Sequence, residues 1–126
     1  MLTFVSKKMK MKGVQDLQKG ELVPNSYWVR HTNNTTSNAP NGGSWIDYWK
    51  NETKQEIPLI CPCCGEETTD DNPMVGAHVI KSLDSAYGNP QVYITPTCKK
   101  CNSTYQGCHV LDVEFSVPSN YLCKVP

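Results

Sequence analysis

The sequence predicts a small α+β domain stapled by zinc, in which a β-hairpin, a short helix and an extra C-terminal strand gather around one metal site. Three observations carry this. Four of the seven cysteines form two short-spaced pairs, in Cys61-Pro62-Cys63-Cys64-Gly65 and Cys98-Lys99-Lys100-Cys101. Runs of β-forming residues lie on both sides of the second pair. Apolar residues make up only 38% of the 126, cysteines included, so an apolar core alone is thin support for a chain of this length. The length allows a single domain. Residues 1–20 read as a basic tail and 21–126 as the domain, with its zinc-bearing core over 57–107.

Taken in order, Tyr27-Trp28-Val29-Arg30 is a short strand, because the β-formers Tyr27, Trp28 and Val29 stand in a row. Residues 32–43, rich in Asn, Thr, Ser and Gly, are loop. Ser44 then starts a helix of about residues 45–53. Its hydroxyl can cap the free N–H groups, with Asp47 three residues on. Trp45 and Trp49 fall at i and i+4 and form one apolar face, which is expected to pack over the zinc lobe. Asp47, Lys50, Asn51 and Lys54 face water. Residues 66–73 form an acidic, turn-rich loop. Met74 to Ile80 and Val92 to Thr95 make a hairpin, with Tyr87-Gly88-Asn89-Pro90 in the connection. On its first strand Val75, Ala77 and Val79 share one face, and His78 and Ile80 the other. Pro96 and Thr97 end the second strand, Cys98 opens a short helix, and Gly107 closes it. Leu111, Val113, Phe115 and Val117 alternate with polar residues and read as a half-buried strand.

The charges sum to zero but are unevenly spread. Residues 1–20, with five Lys and one Asp, carry +4; residues 21–60 carry −1, and residues 61–126 carry −3. A mildly acidic cysteine-bearing half is a poor phosphate-tracking surface. Only the arm with Lys7, Lys8, Lys10 and Lys12 suits an acidic partner. No stretch approaches the ~20 apolar residues of a membrane span. The first thirteen residues have no apolar h-region of a secretory signal, so the expected compartment is the cytoplasm.

An odd cysteine count without a secretory signal argues against a disulfide framework. C-x-x-C spacing lets two thiolates address one ion, and two such pairs fill a tetrahedral zinc, which makes the site structural. Cys61, Cys64, Cys98 and Cys101 are therefore the expected ligands. Gly65 supplies a positive φ for the knuckle turn, and the second pair sits where free helix N–H groups favour thiolates. Cys63 is an alternative to Cys64, but the Cys64-Gly65 turn favours Cys64. Cys108, beside His109, and Cys123 default to small buried hydrophobes, with a second metal site or a thiol redox role as the alternatives. His31 has no partner in the sequence and reads as structural or exposed.

The knuckle, the strand carrying Gly76-Ala77-His78-Val79 and the run Tyr93-Ile94-Thr95-Pro96-Thr97-Cys98-Lys99-Lys100-Cys101-Asn102 together resemble the zinc-containing HNH endonuclease superfamily. The resemblance covers about residues 57–107. It implies a ββα-metal, treble-clef fold. It also implies that His78 matches the general base and Asn102 the residue that completes a catalytic Mg²⁺ or Mn²⁺ site. Two positions depart from the pattern: Ala77 stands where an acidic ligand is expected, and Tyr93 about where a middle Asn would orient the base. A hard cation wants oxygen ligands, and the motif leaves it only Asn102. Asp84, Asp112 and His109 are substitutes that no spacing selects. Two functions follow as expectations. The first is an HNH-like interaction module with an incomplete catalytic centre, binding a protein or nucleic acid partner. The second is a metal-dependent endonuclease with His78 as base.

Overall fold

The computed structural model describes residues 25–32, 38–105 and 113–126. The basic tail 1–20, Gly107, Cys108, His109, Leu111 and Asp112 lie outside them. The elements are β1 (Ser26–His31), α1 (Trp45–Thr53), β2 (Met74–Lys81), β3 (Tyr93–Cys98), α2 (Lys99–Tyr105), β4 (Phe115–Pro118) and β5 (Cys123–Lys124). The five strands form one antiparallel sheet in the order β4-β1-β2-β3-β5. Among the described residues no helix is long and apolar enough to cross a membrane.

Strand alternation sets the core. Val29, Ala77, Val79, Phe115 and Val117 are buried together, and Tyr27, Tyr93 and Leu122 pack around them. Val29 lies opposite Phe115, and Tyr27 opposite Val117, across the β1–β4 pair. The other face of β2, bearing Gly76 and His78, is covered by the first turn of α1. Gly76 is what permits this. A Cβ there would stand 2.6 Å from the Trp45 carbonyl carbon and 2.8 Å from the Ile46 nitrogen, inside van der Waals contact.

Local chemistry places α1 where the sequence expects it. Ser44 Oγ accepts from the Asp47 N–H at 3.2 Å. At the other end Lys54 adopts a left-handed conformation and its N–H returns to the Lys50 carbonyl. Trp49 is fully buried. Its Nε1 donates to the Tyr121 carbonyl at 2.7 Å, and the two rings meet edge to face. The helix thus packs on the sheet, against β2, β3 and β5, rather than over the knuckle as expected. Its tryptophans are packing residues. Asp47, Lys50, Asn51 and Lys54 are exposed.

Two boundaries differ from expectation. The second hairpin strand begins at Tyr93 and continues through Pro96 and Thr97 to Cys98, and α2 begins only at Lys99. Proline is tolerated because β5 pairs β3 only at Tyr93 and Ile94, so the stretch around Pro96 has a ladder neighbour on one side alone. The C-terminal strand is shorter than the apolar alternation suggests. It starts at Phe115, and Val113 lies before it.

Candidate metal centre

Cys61 to Gly65 form a tight turn on an antiparallel ribbon. The Thr68 N–H donates to the Leu59 carbonyl at 2.8 Å, and Cys61 N–H to the Glu66 carbonyl at 2.9 Å. Gly65 takes φ +78°, as the turn was expected to require, and its N–H closes onto the Cys61 carbonyl at 2.7 Å. Opposite this ribbon, β3 delivers Cys98 at its last residue and α2 delivers Cys101 in its first turn.

The Sγ atoms of Cys61, Cys64, Cys98 and Cys101 all lie within 4.8 Å of one another. Cys64 and Cys98 are 3.9 Å apart. Four thiolates about 2.3 Å from a tetrahedral zinc would be separated by about 3.8 Å, so the geometry fits such an ion with little adjustment. Backbone N–H groups point at the sulfurs. Cys61 Sγ accepts from Cys63 at 3.4 Å and from Cys98 at 3.2 Å, and Cys98 Sγ accepts from Cys101 at 3.4 Å. These donors offset the charge of a centre that carries four thiolates on one dication.

The thiols titrate unequally. At Cys98 burial raises the pKa, but the Cys101 N–H, the Asn72 side chain and the neighbouring thiols more than offset it, leaving the group at about 7. Burial and the hydrogen bond with Cys98 hold Cys101 up, and burial raises Cys64. Thiols this close cannot all ionise without a cation; a bound dication takes the place of their protons. The set could hold a metal ion, and four soft sulfurs suit zinc and not a hard oxygen-seeking ion.

Asn72 was not apparent in the sequence as a site residue. Its Oδ1 accepts from the Lys100 N–H at 2.8 Å, capping α2, while its side chain also hydrogen-bonds Cys98. The Asn72-Pro73 dipeptide signals a turn, and only the fold shows which helix that turn caps. Cys63 packs between the cysteine cluster and the apolar core, and burial lifts its thiol to about 11. Cys123 sits on β5 opposite Ile94, four residues along β3 from Cys98, away from the cluster.

The residues expected for catalysis fall elsewhere. His78 is 5% exposed, and its ring meets Trp45 edge to face at 5.0 Å. Burial lowers its pKa. Asn102 is half-buried on α2, beside Cys101. Among the described residues the four cysteines are the one group of three or more His, Cys, Asp or Glu side chains with converging ligand atoms. Neither His78 nor Asp84 is part of such a group. Comparison of the chain with known protein families, curated proteins and solved structures finds no match.

Proposed function

We propose that the chain is a zinc-binding, HNH-like treble-clef domain that serves as an interaction module and lacks a working catalytic metal centre. The observation that carries this reading is the covering of His78. A general base must reach a water beside the scissile phosphate, and a metal must stabilise the charge that develops there. His78 instead lies beneath Trp45, and among the described residues it belongs to no group of three or more His, Cys, Asp or Glu side chains with converging ligand atoms. The treble-clef assignment rests on the order of parts: a knuckle gives two sulfurs, a hairpin follows, and its end and the next helix give two more.

The partner favoured is a protein. Glu52, Glu56, Glu66, Glu67, Asp70 and Asp71 are all exposed along the segment that holds the knuckle, and Lys54 is the only basic residue among them. Such a surface repels a phosphate backbone. Trp28 and Leu83, 60% and 89% exposed, give the domain apolar surface of the kind that protein contacts cover.

The alternative is an HNH-type endonuclease. It is favoured by the placement of His78 on the first hairpin strand and Asn102 directly after Cys101. A supercoiled-plasmid nicking assay with Mg²⁺ or Mn²⁺ separates the two. The module reading expects no metal-dependent nicking. Nicking that disappears in His78→Ala would overturn it and establish the nuclease.

A further inference from the structure

The four candidate ligands differ sharply in access. Cys61, Cys98 and Cys101 are buried, and Cys64 is exposed. Cys64 lies on a groove of about 460 Å³ whose lining also includes Glu66, Glu67, Asn72, Lys100 and Cys101, although Cys101 is only 6% exposed. Access is the larger difference, because backbone N–H donors are more evenly shared. Cys61 accepts two, Cys98 one, and Cys64 one from the Glu66 backbone. A metal-bound thiolate is deprotonated at neutral pH and keeps lone pairs for attack. Oxidation of thiolates is selected by exposure.

We propose that Cys64 is an oxidant-reactive ligand through which hydrogen peroxide opens the metal centre. The proposal rests on the zinc reading given above. Cys64 Sγ attacks one peroxide oxygen, so that an S–O bond forms, the O–O bond breaks and hydroxide leaves, giving a sulfenic acid. The Cys98 thiolate, 3.9 Å away, displaces the sulfenic oxygen. An S–S bond forms, the S–O bond breaks and a second hydroxide leaves. Two protons from solvent convert the hydroxides to water. The two thiolates have lost two electrons, which the peroxide has gained. An ion left with two of its four sulfurs is released, and a thiol reductant reverses the step by exchange. Lys100 is the one basic residue on this groove, which also carries Glu66 and Glu67.

The test uses the full zinc-loaded chain. Its metal content is measured first, and about one zinc per chain is expected. A limiting pulse of iodoacetamide is then followed by peptide mass analysis, and a parallel sample receives hydrogen peroxide with a chromogenic zinc chelator. Among the four ligands, Cys64 should be labelled first, by about ten-fold or more over Cys61, Cys98 and Cys101. Peroxide should release zinc together with a Cys64–Cys98 disulfide. Zinc release should slow in Cys64→Ser if that variant retains metal, and remain unchanged in Cys63→Ser. Equal labelling of the four ligands, or a first disulfide that excludes Cys64, overturns the proposal while leaving the zinc reading intact. A purified chain without zinc overturns the zinc reading, and this proposal with it.

Discussion

The two halves of the domain are held by different physics. Around β1, β2 and β4, five apolar side chains interlock: Val29, Ala77, Val79, Phe115 and Val117 are all buried. Around the knuckle the buried cluster among the described residues is Cys61, Cys98 and Cys101, with Cys63 packed beside it. The sheet half therefore gains from water-excluded area, roughly 1.5–3 kcal/mol for each large apolar side chain. The knuckle half has a Gly turn, acidic residues that repel one another and two exposed apolar side chains, Leu59 and Ile60. Among its described residues, the four sulfurs would serve as a core once an ion joins them. On the zinc reading, two C-x-x-C pairs replace a set of apolar contacts with one metal.

The largest effect expected from this contrast is selective. A bound zinc supplies roughly 10–16 kcal/mol of apparent binding energy to such a set, and almost all of it acts on the knuckle half. Chelation, or Cys98→Ser, should collapse the amide signals of Cys61 to Asn72 and the start of α2. Those of Val29, Val79 and Val117 should persist. Amide-resolved NMR with and without chelator reads this directly. Simultaneous loss of all signals would show that the two halves are one cooperative unit and that the contrast is only compositional.

The contrast also explains what the sequence makes legible. Helix α1 can be read because its signals are local: Ser44 and Asp47 mark the start, and Trp45 and Trp49 mark the buried face. The four sulfurs can be read because C-x-x-C spacing is itself the geometry of a two-sulfur grip. What lies above a strand face cannot be read this way. Gly76 and His78 look like ordinary positions of a strand until α1 is seen to rest on them. The same holds for Pro96, whose tolerance inside β3 depends on how far β5 extends. Strand β5 has only Cys123 and Lys124 and no periodicity to reveal it. Asn72 is tied to its role by a helix 28 residues away in sequence.

A second expectation concerns the sheet half alone. Trp49 fills the space between α1 and the Tyr121 segment, and Trp49→Ala should cost about 3–5 kcal/mol. Trp49→Phe keeps much of the ring but leaves the Tyr121 carbonyl without its donor, costing about 1–3 kcal/mol. Urea midpoints measure both. Zinc affinity, titrated by chelator competition, should change little in either variant, because Trp49 touches no ligand. A large loss of affinity would show that α1 supports the knuckle as well as the sheet.

Acid should attack both halves, for opposite reasons, and the smaller effect lies in the sheet. In the knuckle half, protons compete with the metal for thiolates. In the sheet half, His31 packs its ring against Phe115 at 5.3 Å, and burial lowers its pKa from 6.5 to about 4. Between those values the unfolded chain binds a proton at this residue and the folded chain does not. The His31 contribution is therefore fully present above pH ~6.5, falls as the pH is lowered, and stops falling near pH ~4. At pH 5 the loss amounts to at most about 2 kcal/mol, because each unit of pKa difference is worth about 1.4 kcal/mol. Metal loss does not depend on this imidazole, so comparison with His31→Gln separates the two attacks. The variant's urea midpoint at pH 7.5 reports the packing cost of the substitution. The difference between pH 7.5 and pH 5 should be smaller than in the parent chain by the His31 share. If the two chains lose stability in parallel, His31 contributes nothing over this range, and the acid sensitivity lies with the thiolates and with His78, whose pKa burial also lowers.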